Sequence, residues 1–245
     1  MNNINKLALV TGASRGIGAS IAKRLARDGY TVVVNYSQNG KSANETVKEI
    51  KLKGGNAVAY QADVSDPIAV TKMFEEIKRE MGSLDVLVNN AGVMELSKIS
   101  ETSDSSITKQ IDINLKGALY ILRESTRYLK CGGRVINLSS SVVGLNLETY
   151  GVYAATKAAV ETLTRILAKE LRGRKITVNA VAPGPTATEL FLNGKSDEII
   201  DRLASLPPLE RLGTPQDISS VVAFLVGDDG GWVNGQILRV NGGAV

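Results

Sequence analysis

Short apolar runs alternate with longer amphipathic segments over the length of this 245-residue chain. The first run, Lys6–Val10, is apolar after its lysine, which is typical of a strand buried on both faces. Similar runs follow near residues 31–34, 57–60, 84–88, 134–138, 176–181 and 236–240. Helical segments of ten or more residues separate most of them. The alternation predicts right-handed crossovers, and therefore a doubly wound α/β fold with a parallel sheet of about seven strands and helices on both faces.

The longest helical stretch predicts two helices. Its periodicity runs from Glu101 to Lys130, and we divide it near Asp112, which leaves Asn114 in the second helix. The range 186–211 follows the sixth strand and is polar, partly helical and interrupted by two prolines. Its apolar residues could close over a substrate, so we predict a lid there; a helix packed on the sheet edge is the alternative. The chain has no linker-like, repeated or low-complexity segment, and we therefore interpret residues 1–245 as one domain.

The composition argues against several classes of function. With one cysteine and no histidine, we expect neither a disulfide framework nor a metal site. The net charge is +4, but the basic residues are spread over several helices, which argues against nucleic-acid binding. No apolar run approaches the ~18 residues that cross a bilayer, and no apolar leader is found. We expect a cytoplasmic protein without membrane contact.

Four distinctive segments each follow a predicted strand. They are the glycine-rich turn 11–18, the segment 89–92, Ser140 and the pair 183–184. In an open parallel sheet, ligands bind outside the carboxyl ends of the strands. We therefore predict that the four segments form one cleft.

Tyr153 and Lys157 are the candidates for proton transfer. Their spacing of four residues places both side chains on one face of a helix. A phenol has a pKa of about 10, and a neighbouring ammonium favours the phenolate and brings the group toward working range. Ser140 would hold a substrate oxygen beside the phenol. Tyr150 is a weaker candidate, because the residue four positions later is alanine.

The turn after the first strand predicts a phosphate-binding loop. Gly12, Gly16 and Gly18 would let the backbone approach a pyrophosphate at a helix N-terminus. Their spacing, Gly-x-x-x-Gly-x-Gly, differs from the Gly-x-Gly-x-x-Gly fingerprint. By itself it is also compatible with an ordinary strand-to-helix turn.

Taken together, these motifs resemble the short-chain dehydrogenase/reductase superfamily. The resemblance rests on TGASRGIG at 11–18, NNAG at 89–92, Asn114, Ser140, YAATK at 153–157 and PG at 183–184. It covers essentially the whole chain and is greatest for reductases of the 3-oxoacyl-carrier-protein type and their relatives that act on other ketones and alcohols. The family's fold is a single Rossmann-type domain.

The resemblance implies a catalytic tetrad of Asn114, Ser140, Tyr153 and Lys157. Tyr153 would exchange a proton with the carbonyl or alcohol oxygen, Lys157 would bind the nicotinamide ribose, and Asn114 would steady a water. A local backbone contact is the alternative for Asn114. The implied cofactor contacts are Gly12, Ser14, Arg15, Gly16, Ile17, Gly18, Asn35, Tyr36, Ser37, Asp63, Val64, Asn90, Ala91, Gly92, Tyr153, Lys157, Pro183, Gly184, Thr186 and Thr188.

The end of the second strand favours NADP(H) over NAD. A carboxylate there would bind the ribose 2′-hydroxyl and repel a 2′-phosphate. Here the residues are Asn35, Tyr36 and Ser37, while Arg15 in the glycine turn is suited to a phosphate. A solvated surface charge is the alternative interpretation of Arg15.

The expected substrate is a small molecule with a carbonyl or alcohol group. Apolar residues of the lid range would cover it, and five residues of 142–149 would form the other wall: Val142, Val143, Leu145, Leu147 and Thr149. An acyl carrier protein is a possible but not preferred partner. Cys131 stands where related reductases tend to be basic, although Lys130 adjoins it and Arg174 could supply a second contact.

Three functional hypotheses follow. The first is an NADPH-dependent ketone reductase or alcohol dehydrogenase, the second is an NAD-dependent alcohol, sugar or steroid dehydrogenase, and the third is a dinucleotide sensor without turnover. The segments 113–122, 153–171 and 231–245 resemble the family's subunit contacts, and we expect a homotetramer.

Overall fold

The structure, a computed structural model, describes residues 6–245. Seven parallel strands form one sheet in the order β3-β2-β1-β4-β5-β6-β7. Their bounds are β1 Lys6–Val10, β2 Tyr30–Tyr36, β3 Asn56–Gln61, β4 Leu84–Asn89, β5 Leu129–Leu138, β6 Thr177–Pro183 and β7 Ile237–Val240. The predicted fold class is confirmed.

Ten α-helices of the described chain accompany the sheet. They are α1 Gly16–Arg27, α2 Gly40–Leu52, α3 Pro67–Met81, α4 Asp104–Ile111, α5 Ala118–Tyr128, α6 Val142–Leu145, α7 Gly151–Glu170, α8 Glu189–Leu192, α9 Asp197–Ala204 and α10 Pro215–Val226. Within residues 6–245, no helix combines the length and the apolar character that a membrane crossing requires.

The sheet reverses its strand order at β1. This strand lies between β2 and β4, so the chain winds outward in both directions from the centre. Crossovers on the two faces bury separate apolar layers: Ile21, Leu25 and Ile218 belong to one, and Phe74, Met73 and Ile121 to the other. The reversal opens a crevice at the carboxyl ends of the central strands.

The predicted break near Asp112 is a change of helical pitch. A π-helical segment, Asp112–Gly117, joins α4 to α5, so the chain turns without leaving the helix. It contains Asn114, which is buried. Such bulges widen a helix locally and are frequent at functional sites. The helix then ends at Tyr128, and β5 begins five residues before the predicted Arg134.

Capping side chains stabilise the starts of α3 and α10. The carboxylate of Asp66 accepts hydrogen bonds from the amides of Ile68 and Ala69, with Pro67 in the first turn. Thr214 and Asp217 form a reciprocal capping box at α10. These contacts satisfy amides that a helix leaves unpaired at its start.

Candidate functional site

A cleft of about 720 Å³ opens at the carboxyl edge of the sheet. It is lined by every predicted site residue except Asn114. These lining residues are Gly12, Ser14, Arg15, Gly16, Ile17, Gly18, Asn35, Tyr36, Ser37, Asp63, Val64, Asn90, Ala91, Gly92, Ser140, Tyr153, Lys157, Pro183, Gly184, Thr186 and Thr188. The predicted convergence of four segments on one site agrees with this arrangement.

The glycine turn fits a phosphate group. Gly12 has φ of 61°, and a Cβ there would lie 2.9 Å from Cα of Ala91, so a larger residue would strain the turn. The turn leads into α1, and no side chain of residues 6–245 caps the N-terminus of that helix. Its first amides therefore face the cleft without side-chain partners, which is an arrangement that binds anions.

Asparagine side chains hold this turn in place. The Asn90 amide donates to the carbonyl oxygens of Thr11 (2.8 Å) and Gly12 (3.1 Å). The Asn35 amide donates to Ala62 O at 3.0 Å, and its oxygen accepts from Gly12 N at 3.3 Å. Asn35 is 1% exposed. Its amide group is thus engaged within the protein and supports the loop. The cofactor contact of Asn35 stays a prediction.

Arg15 lies at the mouth of the cleft and pairs with the lid. Its Nη1 is 3.0 Å from Oε2 of Glu189, the first residue of α8. Both side chains are more than half exposed, so the pair contributes little free energy and can separate when a ligand arrives. A phosphate near Arg15 would compete with Glu189 for the guanidinium.

Tyr153 lies beside Ser140 in the cleft. The nearby Ser140 side chain favours the ionised form of the phenol, but burial is stronger and raises the pKa of Tyr153 to about 12. We expected the neighbouring ammonium to lower this pKa. In the structure desolvation dominates instead, because it penalises the phenolate. Tyr153 is therefore protonated at neutral pH and equipped to donate.

Lys157 follows one turn later and is 5% exposed. Its Nζ lies 5.7 Å from the centroid of the Tyr153 ring and donates to Leu138 O at 2.8 Å. Burial lowers the pKa of Lys157 to about 8. The amine can therefore exchange a proton near neutral pH, and it shares a wall of the cleft with the phenol.

Asn114 lies behind the cleft. Its Oδ1 accepts from Val93 N and its Nδ2 donates to Val93 O, both at 2.8 Å. A Cβ on Gly92 would lie 3.2 Å from Asn114 Oδ1 and 3.5 Å from Lys157 Nζ. The Asn114 amide group thus fixes the segment after β4 next to the lysine. Its place in the catalytic tetrad stays a prediction.

The range 186–211, where we predict a lid, contains two short helices, α8 and α9. Leu190, Phe191 and Leu203 face the cleft, which agrees with a partly apolar cover. On the opposite wall, Val142, Leu145 and Leu147 line the cleft, but Val143 and Thr149 do not belong to the lining. Sequence reasoning missed several lining residues: Gln38, Asn39, Val93, Met94, Lys109, Ile113, Pro185 and Glu189. Their only signal was their place just after a strand or on the helix that follows it.

The fold and the cleft define a doubly wound nucleotide-binding α/β protein, in which a half-buried tyrosine and a buried lysine lie in the same cleft as a glycine-rich turn. A family model described as "Enoyl-(Acyl carrier protein) reductase" matches residues 12–245. The chain belongs to this family, within the short-chain dehydrogenase/reductase superfamily.

Known relatives match nearly the whole chain. A "Short-chain type dehydrogenase/reductase" of Picea abies is 44% identical, over 98% of this chain and 92% of its own length. "Versicolorin reductase stcU" of Emericella nidulans is 41% identical, over 98% and 95%. The crystal structure of the angucycline C-6 ketoreductase LanV with bound NADP superposes with a TM-score of 0.93 at 34% identity, covering 99% of this chain and 96% of that one.

Proposed function

We propose that this protein is an NADPH-dependent carbonyl reductase that interconverts a ketone and a secondary alcohol, with Tyr153 as the general acid and base. The observation that carries the proposal is the location of the Tyr153–Ser140–Lys157 group in one cleft with the uncapped start of α1. The named reductases among the relatives support it. Turnover of a panel of ketones with NADPH and with NADH tests it directly.

The residues of the cleft fit a dinucleotide. The close approach at Gly12 and the free amides of α1 suit the pyrophosphate, and Arg15 with Tyr36 and Ser37 suits a 2′-phosphate without an opposing carboxylate. Lys157 would bind the ribose nearest the reacting ring. When bound, NADPH supplies the hydride that reduces the carbonyl carbon.

The chain's own residues manage the proton and the developing charge. The Ser140 hydroxyl donates to the substrate oxygen and orients it toward Tyr153. The phenol, protonated at neutral pH, transfers its proton to that oxygen as charge develops there. The Lys157 ammonium stabilises the phenolate that remains and returns a proton to it. In oxidation the same groups act in reverse.

Two basic residues considered for a carrier protein are engaged within the chain. Arg174 donates through Nη2 to Leu129 O at 2.6 Å and through Nη1 to Thr126 O at 2.5 Å. Lys130 pairs with Asp85 at 2.8 Å. Since these contacts bind both side chains to the body of the protein, they favour a free small-molecule substrate over a carrier-bound one.

Reversing the charge of Arg15 should change the cofactor preference. In Arg15→Glu the lost charged hydrogen bond alone should raise the KM for NADPH by about 10- to 100-fold. The KM for NADH should change by less than about threefold, because NADH has no 2′-phosphate to lose. Steady-state kinetics with both cofactors measure the ratio.

Arg27→Glu is the matched control, since it reverses an exposed arginine at the far end of the same helix. It should leave both KM values unchanged. Equal losses for the two cofactors in Arg15→Glu would contradict the assignment of Arg15 and favour the NAD-dependent alternative.

We also propose a homotetramer. Trp232 is 99% exposed, and Phe224 on the adjacent α10 is 43% exposed. Ile166 on α7 and Leu119 on α5 are similarly open. Exposed apolar groups of this size usually mark an interface. Cytoplasmic location stays a prediction.

Replacing Trp232 with aspartate should weaken the assembly. Burying an aromatic anchor contributes about 2 kcal/mol or more, so the dissociation constant of the affected interface should rise by at least about 30-fold. Analytical ultracentrifugation over a range of concentrations measures it. Leu52→Asp, at a residue that is 76% exposed on α2, should assemble like the wild type. Identical sedimentation of the Trp232 variant would exclude this surface as an interface.

A further inference from the structure

Tyr150 is a third hydroxyl in the cleft that the proposed chemistry does not use. It precedes α7 and lies three residues before Tyr153 and seven before Lys157, so the three side chains share one helix face. All three line the cleft. A residue at this position whose purpose was packing would be expected among the apolar clusters, and Tyr150 belongs to neither of them.

The hydroxyl of Tyr150 has no partner within the described chain. Burial alone raises the pKa of Tyr150, with no contribution from a hydrogen bond or a charge of residues 6–245. The lining of the same cleft includes the apolar side chains of Val142, Leu145, Leu147 and Phe191. Removing a hydroxyl from water into an apolar wall costs free energy unless the hydroxyl gains a hydrogen-bond partner. A ligand that fills the cleft would exclude water from this hydroxyl.

The backbone before Tyr150 is held in an unfavourable conformation. Asn146 has φ of 52° and Thr149 has φ of 70°, and a left-handed β-branched residue is a genuine outlier. A hydrogen bond from Ser97 N to Thr149 O at 3.0 Å secures it. Strain of this kind persists where surrounding structure imposes it and is concentrated at ligand sites. Here it fixes the direction in which the chain enters α7.

We propose that Tyr150 determines specificity by binding a second oxygen of the substrate. The inference rests on the proposed reductase function. Residues three positions apart on a helix have Cβ atoms about 5–6 Å apart. Because Tyr150 and Tyr153 lie within one helical turn of each other, we take the substrate class to be a ketone that carries a further hydroxyl or carbonyl oxygen roughly 5–6 Å from the reacting oxygen. Ser140 and Tyr153 hold the reacting oxygen, and Tyr150 holds the other.

Equilibrium binding of two matched ligands tests the proposal without turnover. 1-Tetralone and 7-hydroxy-1-tetralone differ by one hydroxyl, and the second oxygen of the latter lies in the required range. Each is titrated into the protein saturated with NADP⁺, which cannot reduce a ketone. We expect the wild type to bind the hydroxylated ligand about 3- to 10-fold more tightly than the parent, and Tyr150→Phe to bind both equally.

Tyr128→Phe is the matched control. It removes a phenol hydroxyl from a ring packed on Phe74, 5.7 Å away between centroids, and it should keep the wild-type preference. The proposal is overturned if Tyr150→Phe still binds the hydroxylated ligand more tightly than the parent. It is also overturned if the wild type binds the two ligands equally, or binds neither of them. Loss of ketone turnover in Tyr153→Phe depends on the proposed function alone, so the two can fail separately.

Discussion

Replacing Tyr153 with phenylalanine should lower kcat for ketone reduction by about 10²- to 10⁴-fold, the usual contribution of a positioned general acid. The variant keeps the ring that lines the cleft and loses the proton that the substrate oxygen receives in the proposed reaction. Because the pKa of Tyr153 is about 12, the wild-type phenol is fully protonated at neutral pH. The whole effect should therefore be visible at pH 7, in single-turnover reduction followed by NADPH absorbance.

The affinity for NADPH shows whether the lower kcat of Tyr153→Phe comes from the missing hydroxyl or from a damaged structure. A single neutral hydrogen bond contributes about 0.5–1.5 kcal/mol, so NADPH should bind Tyr153→Phe within about tenfold of the wild type. Tyr128→Phe, which alters a tyrosine remote from the cleft, should retain full activity. A Tyr153→Phe enzyme with more than about a tenth of wild-type kcat would show that another group donates the proton.

The fold could be predicted because each of its signals is local. Buried strands such as β1 are continuous apolar runs, which can be recognised without knowledge of the rest of the chain. Right-handed crossovers place the helices on the faces of a parallel sheet, whereas the strand order is a finding of the structure. Convergence of the glycine turn, Ser140 and Pro183 on one edge then needs no knowledge of side-chain contacts, because all carboxyl ends of a parallel sheet lie together.

The parts of the site that the sequence could not predict depend on distant contacts. Asn35 and Asn114 resemble ligand-binding residues in sequence, yet their amides bind Ala62 and Val93. The Arg15–Glu189 pair joins residues 174 positions apart. The pKa of Tyr153 depends on how much water the assembled cleft excludes, which no spacing indicates. Sequence spacing predicts which side chains lie close together. The tertiary contacts around them determine which polar groups remain without a hydrogen-bond partner in the protein.

Replacing Lys157 with methionine should lower kcat/KM for reduction by about 100-fold. Its charge lies about 6 Å from the phenol ring. At an effective dielectric constant of about 20, a unit charge at that distance stabilises the developing phenolate by about 3 kcal/mol, which corresponds to about 100-fold in rate. The variant keeps the length of the side chain but leaves Leu138 O without its donor.

The pH profile identifies the proton as the source of this effect. Because the pKa of Lys157 is about 8, wild-type kcat/KM for reduction should be level below pH 8 and fall above it as the ammonium is lost. Lys157→Met should lack this inflection. Lys157→Arg should lack it as well, because a guanidinium does not titrate in this range. An inflection near pH 8 that persists in both variants would assign it to another group.

Stability should change in the opposite direction with pH. Between pH 8 and 10.5 the unfolded chain keeps the Lys157 proton that the folded protein has released, so the wild-type free energy of unfolding rises with pH through this range. Lys157→Met has no such proton. The wild type should therefore gain about 1–3 kcal/mol relative to the variant between pH 7.5 and 10, measured by urea denaturation. If the difference in the free energy of unfolding between the wild type and Lys157→Met did not change with pH, the amine would not be desolvated in the folded state. The proposed role of its low pKa would then be wrong.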